Sequence, residues 1–367
     1  MASNTLSCSA VSELAALLDS PQIKALISDL DETRWTGRPG YPIRSMVGIA
    51  LAKSLYSIST WTKIISLIKE HESLSKVIAP DGDVPSVFAC YRFTKKMIEY
   101  EHIVEKCIEQ VVTAHKDMNE AFGKNIAIDG SDLPAYANGQ QLLRKGGPER
   151  EKFSDPDASW GRRSAISTRN SGMYYGYKIH AAVDTITGLP LAWEVHTATK
   201  AEMNVALDLV DKTRSRGLEV NTCIMDKGYD GGFIYDGCEE RDIRPIVPLM
   251  KTVAVKRGDH KPPCCEHGEW KFAGSDYDRK AAKWLCPTGE CATKSQWIKA
   301  SRLHTLIPRS TRRWKKLYNS RTAVEREFGR LKHEWAMLPL RIRGLKKVKL
   351  HVDLTILTKL SCALLRA

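Results

Sequence analysis

The sequence predicts an α/β fold. A mixed sheet covered by helices is preceded by an all-helical segment and interrupted late by a small β-rich insertion. Three observations predict it. Over residues 1–120 the apolar residues recur at helical spacing. From Asn125 onward short β-rich runs alternate with amphipathic helices, the order of an α/β layer fold. Over residues 251–299 cysteines and aromatic residues crowd into a stretch with strand-like runs, before helical spacing returns over 300–367. The chain therefore divides into a helical segment (1–120), an α/β body (121–250 with 300–367) and an insertion (251–299).

With 367 residues the chain can bury more than one core. No uninterrupted apolar run approaches the roughly 18 residues of a membrane span. The opening MASNTLSCSAVSEL has neither a basic leader nor an apolar core, so a cytoplasmic, nucleoid-associated protein is expected. Ten cysteines in that compartment do not read as a disulfide framework. The net charge is +13 and the pI about 9.2. Between Lys299 and Lys349 sixteen Lys and Arg face only Glu325, Glu327 and Glu334. Such a patch suits a polyanion, DNA or RNA, better than a merely solvated surface.

Helices are expected from Val11 to Leu18 and from Ile23 to Leu30. WTGRPGYPIRS, Trp35 to Ser45, makes a Gly/Pro turn that launches a helix from Arg44 to Leu55. Trp61 to Ile68 is amphipathic. After APDGDVPS comes Val87 to Met97 with Arg92, Lys95 and Lys96, the form of a helix-turn-helix recognition helix or of a plain bundle helix. Ile103 to Met118 closes the helical segment. Asn125 to Ile128 is a short strand, followed by a polar stretch from Ala135 to Gly172 without periodicity, expected as a loop. Tyr174 to Val183 and Leu189 to Thr197 form a hairpin around DTITG, Asp184 to Gly188. Glu202 to Arg216 is a helix, Thr222 to Met225 a strand, Phe233 to Arg241 a helix, and Arg244 to Leu249 a strand. Val352 to Leu365 is an apolar C-terminal helix, expected to pack on the α/β body.

Acids at the carboxyl ends of central strands lie where α/β folds bind ligands. Asp129 and Asp226 occupy such ends, with Asp132 and Asp230 as their nearest rivals. A third acid comes from YNSRTAVEREFGRLKHEWAML, Tyr318 to Leu338, expected as one helix. Its apolar seam is Val324, Phe328, Leu331, Trp335 and Leu338. Beside that seam Tyr318, Arg321, Glu325 and Lys332 share an arc of about 60° on a helical projection. Any one acid after a strand is more often a turn or cap residue. Three acids gathered beside a basic helix need a cation, and hard oxygen donors suit Mg²⁺ or Mn²⁺. Two such ions support phosphoryl transfer.

IAIDGSD (Ile126 to Asp132), YGYKIHAAVDTITGLPLAWEVHTATKAE (Tyr175 to Glu202), IMDKGYD (Ile224 to Asp230) and the Tyr-x2-Arg-x3-Glu-x6-Lys pattern of Tyr318, Arg321, Glu325 and Lys332 resemble the DDE transposases of bacterial and archaeal insertion sequences. GRPGYP (Gly37 to Pro42) and VPS (Val84 to Ser86) are similar to the helical domain that precedes their catalytic core. The resemblance implies a ribonuclease-H-like core with the triad Asp129, Asp226 and Glu325 holding Mg²⁺ or Mn²⁺. It implies cleavage at the element's inverted-repeat ends, then attack of the freed 3′-hydroxyl on target DNA, by a homodimer on DNA. Tyr318, Arg321 and Lys332 would grip DNA beside the scissile bond, with Lys227 and Tyr229 next to Asp226. A metal-dependent nuclease of the same fold shares every one of these residues. An inactive DNA-binding regulator would have lost at least one of the three acids, and none is lost.

In the insertion, Cys264-Cys265-Glu-His267 and Cys286-Pro-Thr-Gly-Glu-Cys291 supply paired ligands for structural Zn²⁺, with Cys265, His267, Cys286 and Cys291 expected to bind. The C-x-H and C-x4-C spacings depart from the usual C-x2-C knuckle, and reduced cysteines in a loop are the alternative.

Overall fold

The computed structural model describes residues 8–33, 40–141, 152–163 and 170–367. The helical segment holds α1 (Cys8–Asp19), α2 (Pro21–Glu32), α3 (Ile43–Leu55), α4 (Trp61–Glu70), α5 (Glu72–Ile78), α6 (Val87–Glu99) and α7 (Glu101–Met118). Local chemistry sets the starts. Pro21 opens α2, Thr60 Oγ1 accepts from Lys63 N in α4, and Ser86 Oγ accepts from Ala89 N in α6. The start of the expected Gly/Pro turn, residues 34–39, lies outside the described residues, and with it the first half of GRPGYP.

The body begins with β1 (Asn125–Pro134), β2 (Ser159–Arg163), β3 (Gly172–Asp184) and β4 (Pro190–Thr197). It continues through α8 (Met203–Ser215), β5 (Thr222–Ile224), a single 3₁₀ turn (Lys227–Tyr229), α9 (Gly232–Glu240) and β6 (Arg244–Ile246). The sheet runs β2-β3-β1-β5-β6, and β4 also pairs with β3. β1 is antiparallel to β3 and parallel to β5, which is parallel to β6. The β3–β4 hairpin forms as expected. Asp184 Oδ2 accepts from Ile186 N and Thr187 N, and Gly188 takes φ +74°, which a Cβ would disfavour.

Two expectations about strands need correction. β1 does not stop at Ile128 but runs to Pro134, because β3 offers partners as far as Gly176. The stretch from Ala135 to Gly172 is not all loop. SWGRR reads as polar, yet it pairs with the first residues of β3 and becomes β2.

The insertion contains α10 (Val253–Arg257), a two-stranded ribbon of β7 (Cys264–Cys265) and β8 (Gly268–Glu269), and a three-stranded sheet of β9 (Lys271–Asp276), β10 (Ala281–Leu285) and β11 (Ser295–Lys299). Then come α11 (Arg312–Asn319), α12 (Thr322–His333) and α13 (Leu345–Leu365).

The expected single helix from Tyr318 to Leu338 is therefore two helices and a tail. Around the joint, Ser320, Arg321, Ala323 and Val324 donate to carbonyls three residues back, a 3₁₀ tightening. At the far end Met337 N donates to Leu331 O while Ala336 takes φ +54°, the left-handed stop of a Schellman-type cap. Trp335 and Leu338 thus leave the helix, although both still pack on the core.

α13 starts before Val352 and is buried on nearly every side from Val352 to Cys362. Such a helix belongs inside a protein. It packs on β4, as expected, and also on α3 and α7. Trp193 Nε1 donates to Asp353 Oδ1 at 2.7 Å from the sheet side, and His115 Nε2 lies 3.0 Å from Leu360 O on the helical side. One apolar cluster consequently runs from Val11 to Cys362 through both segments.

Candidate active site

The register of β1 and β5 builds the site. Their last parallel pair is Ala127 with Ile224. Asp129 and Asp226 each follow two residues later, at the same level, where the two strands part. Asp129 is kept in line by β3, opposite Ala181. Asp226 caps the 3₁₀ turn, its Oδ1 accepting from Gly228 N at 2.7 Å. Glu325 arrives on α12, which Val324, Phe328 and Leu331 hold against the sheet. α11 is fixed separately, with Trp314, Leu317 and Tyr318 packed on Ile224 and Ile246.

Arg321 ties two of the three acids together. Its Nη1 lies 3.2 Å from Asp129 Oδ2 and its Nη2 lies 2.7 Å from Glu325 Oε1. The oxygens of Asp129, Asp226 and Glu325 are not all within 4.8 Å of one another. Burial pushes the Asp129 carboxyl up to about 7; the charges of Glu202 and Asp226 add to this, while Gly130 N–H and Arg321 oppose it. Asp226 is raised as well, first by burial and then by Glu202, against Gly228 N–H and Arg321. Two carboxyls that resist ionising beside a half-exposed third make a donor set that gains from a divalent cation. Their hard oxygens fit Mg²⁺ or Mn²⁺.

The other expected residues divide. Tyr318 stacks on Trp314 with ring centroids 5.0 Å apart, and the Arg321 guanidinium lies 5.9 Å from its ring centre. Lys227 is exposed beside Asp226. Lys332 reaches β1, with Nζ 2.7 Å from Ser131 Oγ and 3.3 Å from Asp132 Oδ1, and is largely covered. Tyr229 is a correction: it is fully buried, among the largest such side chains, so it cannot touch DNA in this structure and serves as core. The rivals find structural roles. Asp132 is buried against Lys332 and Arg163. Asp230 is bracketed by Arg302 at 2.6 and 2.9 Å, Tyr235 Oη and Met250 N. In the insertion Cys265, Cys286 and Cys291 come together, and His267 borders them through Cys291.

One acid escaped the sequence reasoning. Glu202, just ahead of α8, accepts from Lys178 Nζ at 2.9 Å. A Cβ on Gly130 would lie 3.0 Å from Glu202 Oε1, so this carboxylate closes on β1 right beside Asp129. Nothing in its spacing signals this. The sequence cues are that it opens the first helix after the hairpin and closes the family-resembling stretch Tyr175 to Glu202.

A second feature lies between α6 and the segment leading into α13. Trp61, Tyr91, Lys95, Tyr136, Arg341 and Lys347 line a cleft. Arg341 and Arg343 each lie over the Tyr136 ring at 5.3 Å. Cations and aromatic faces in one groove suit a nucleic-acid strand.

Among the described residues no helix is long and apolar enough to cross a membrane. No curated protein matches the chain. Among solved structures it is similar to a piggyBac transposase, seen by cryo-EM in a synaptic complex with hairpin DNA. The TM-score is 0.38 and the identity 10%, over 96% of this chain and 74% of that one. Residues 120–358 match the family described as the transposase DDE domain. That span holds β1 through most of α13, with Asp129, Asp226 and Glu325 inside it, and the chain belongs to this family of DNA transposases.

Proposed function

We propose that the protein cuts the ends of an insertion sequence and joins the freed 3′-hydroxyl to target DNA, with Asp129, Asp226 and Glu325 as its catalytic acids. The observation that carries this is the shared register of Asp129 and Asp226 two residues beyond the Ala127–Ile224 pair, with Arg321 drawing Glu325 to Asp129. The β1-β3-β4 meander, α8, then parallel β5 and β6 supports a ribonuclease-H-like core. DDE transposases generally use divalent ions. Here Mg²⁺ or Mn²⁺ would be held by the three acids and would supply activation of the attacking oxygen and charge relief at the leaving one.

The chain's own side chains do the rest. Arg321 pairs with both Asp129 and Glu325. Once they are otherwise neutralised, its guanidinium is free to take a DNA phosphate. Lys227 and Tyr318 flank the same rim. Lys332 holds β1 in place through Ser131 and Asp132. Glu202 adds a fourth carboxylate that keeps negative charge dense around Asp129. The Tyr136–Arg341 cleft and the basic face of α6 would carry the DNA leading into the site. Two ends must be bridged, so a homodimer on DNA is expected.

Incubation with Mg²⁺ and duplex DNA made from the sequence flanking the gene tests the proposal. Cleavage at inverted repeats followed by joined products is the expected result. Cleavage without joining would favour a nuclease. Binding without either would favour a DNA-binding regulator.

A further inference from the structure

The insertion has too little core to hold itself. Its own apolar cluster consists of Trp270, Ala282, Trp284 and Cys286, with Cys265, Cys291 and Ile298 partly covered. Phe272, Leu285 and Trp297 remain exposed. A unit of this size usually needs a disulfide or a metal. Three of the seven residues in the cluster are cysteines.

Their geometry is that of a metal shell. Cys265 Sγ and Cys286 Sγ lie 3.8 Å apart. A tetrahedral site with Zn–S bonds of about 2.3 Å has S···S edges of about 3.8 Å. Cys291 Sγ completes a triangle in which every separation is within 4.8 Å. The loop from Cys286 to Cys291 folds over the first sulfur. Thr288 Oγ1 lies 3.6 Å from Cys286 Sγ, and Gly289 makes the turn with φ +76°. His267 stands within 4.8 Å of Cys291, with Glu266 also there. Cys264 is exposed and belongs to neither group.

We infer that the insertion is a zinc-stapled ribbon, with Cys265, Cys286 and Cys291 as thiolate ligands and His267 as the fourth. Binding displaces the thiol protons and leaves a shell of three sulfurs and one imidazole nitrogen. The staple also serves the body. Tyr277, between β9 and β10, receives the Arg244 guanidinium 4.4 Å from its ring centre, and Lys280 pairs with Glu239 at 3.4 Å. Arg313 of α11 reaches Tyr277 Oη at 3.5 Å. The ribbon thereby borders the helix that carries Tyr318.

Elemental analysis of full-length protein purified without chelator tests this. About one zinc per chain is expected, retained through dialysis against EDTA and released when an organomercurial blocks the thiols. Cys286→Ser and Cys291→Ser should lose the ion, His267→Ala should weaken its retention, and Cys264→Ser should keep it. Should the serine variants fail to fold, Co²⁺ substitution of the unaltered chain gives an independent readout. Visible bands of tetrahedral, thiolate-bound cobalt are expected. Zinc below about a tenth per chain together with a Cys265–Cys286 disulfide or freely alkylated thiols would overturn the inference. Loss of zinc in Cys264→Ser but not in His267→Ala would overturn the ligand set. None of these readouts depends on DNA cleavage.

Discussion

Two glutamates on α12 stand two residues apart and meet opposite fates. Glu325 is exposed at the rim, bonded to Arg321, four residues earlier in the chain. Glu327 is buried at 1% exposure, with Lys359 of α13 at 2.5 Å. Burial raises Glu327 and lowers Lys359, each opposed by the other's charge. Each glutamate has a cation beside it, so a carboxylate–cation pair does not by itself mark a site. What separates them is the face. Glu327 is on the buried face and ties α12 to α13 through Lys359. Glu325 stays on the exposed rim, joined to Asp129 of β1 through Arg321.

That contrast can be broken from the structural side first. Lys359→Met leaves the buried Glu327 without its partner and should cost about 3–5 kcal/mol, read by urea unfolding. Phe328→Ala should cost a similar amount, about 3–5 kcal/mol, through the cavity it leaves. Glu325→Gln should leave the unfolding free energy within about 0.5 kcal/mol of the parent, because an exposed pair contributes little. Equal losses for Lys359→Met and Glu325→Gln would erase the distinction.

A smaller effect sharpens the rim. Asp129 titrates near 7 in the folded chain, well above the ordinary carboxylate range. Its protonated form is favoured by folding, so this group's stabilising contribution is full in acid and is lost as pH rises towards about 7. A divalent ion must displace that proton. Mg²⁺ affinity should therefore rise by up to roughly tenfold per pH unit below about 7 and level off above it, measured by calorimetry with proton release. An affinity flat from about pH 5 to about pH 8 would mean that Asp129 does not bind the ion.

The smallest change concerns DNA handling. Lys227→Ala should weaken duplex binding and lower the salt slope by about one unit, as for one lost phosphate contact. Lys332→Ala should instead disturb β1, since its amine is bonded to Ser131 and Asp132. A salt slope that falls for Lys332→Ala and not for Lys227→Ala would reverse these roles.

Much of this was legible in the sequence. Period and turn residues gave the helices of the first segment and the DTITG hairpin. Position after an apolar strand makes Asp129 and Asp226 candidates beside Asp132 and Asp230, and the family resemblance joins Glu325 to them. What stayed hidden depended on partners distant in sequence. SWGRR becomes a strand only because β3 has a free edge. Tyr318 and Arg321 sit on either side of a helix joint, which no periodic projection reveals. Tyr229 reads as a polar aromatic beside an acid, yet its side chain is fully buried in the core cluster. Glu202 reaches Gly130 only after the hairpin folds back.

The most direct measurement is DNA cleavage and joining by Asp226→Asn and Glu325→Gln, each shown to be folded, in Mg²⁺ beside the parent protein. Both variants should lose both steps by at least about 10³-fold while still binding DNA. Either variant cutting and joining at the parent rate would contradict the assignment of these acids.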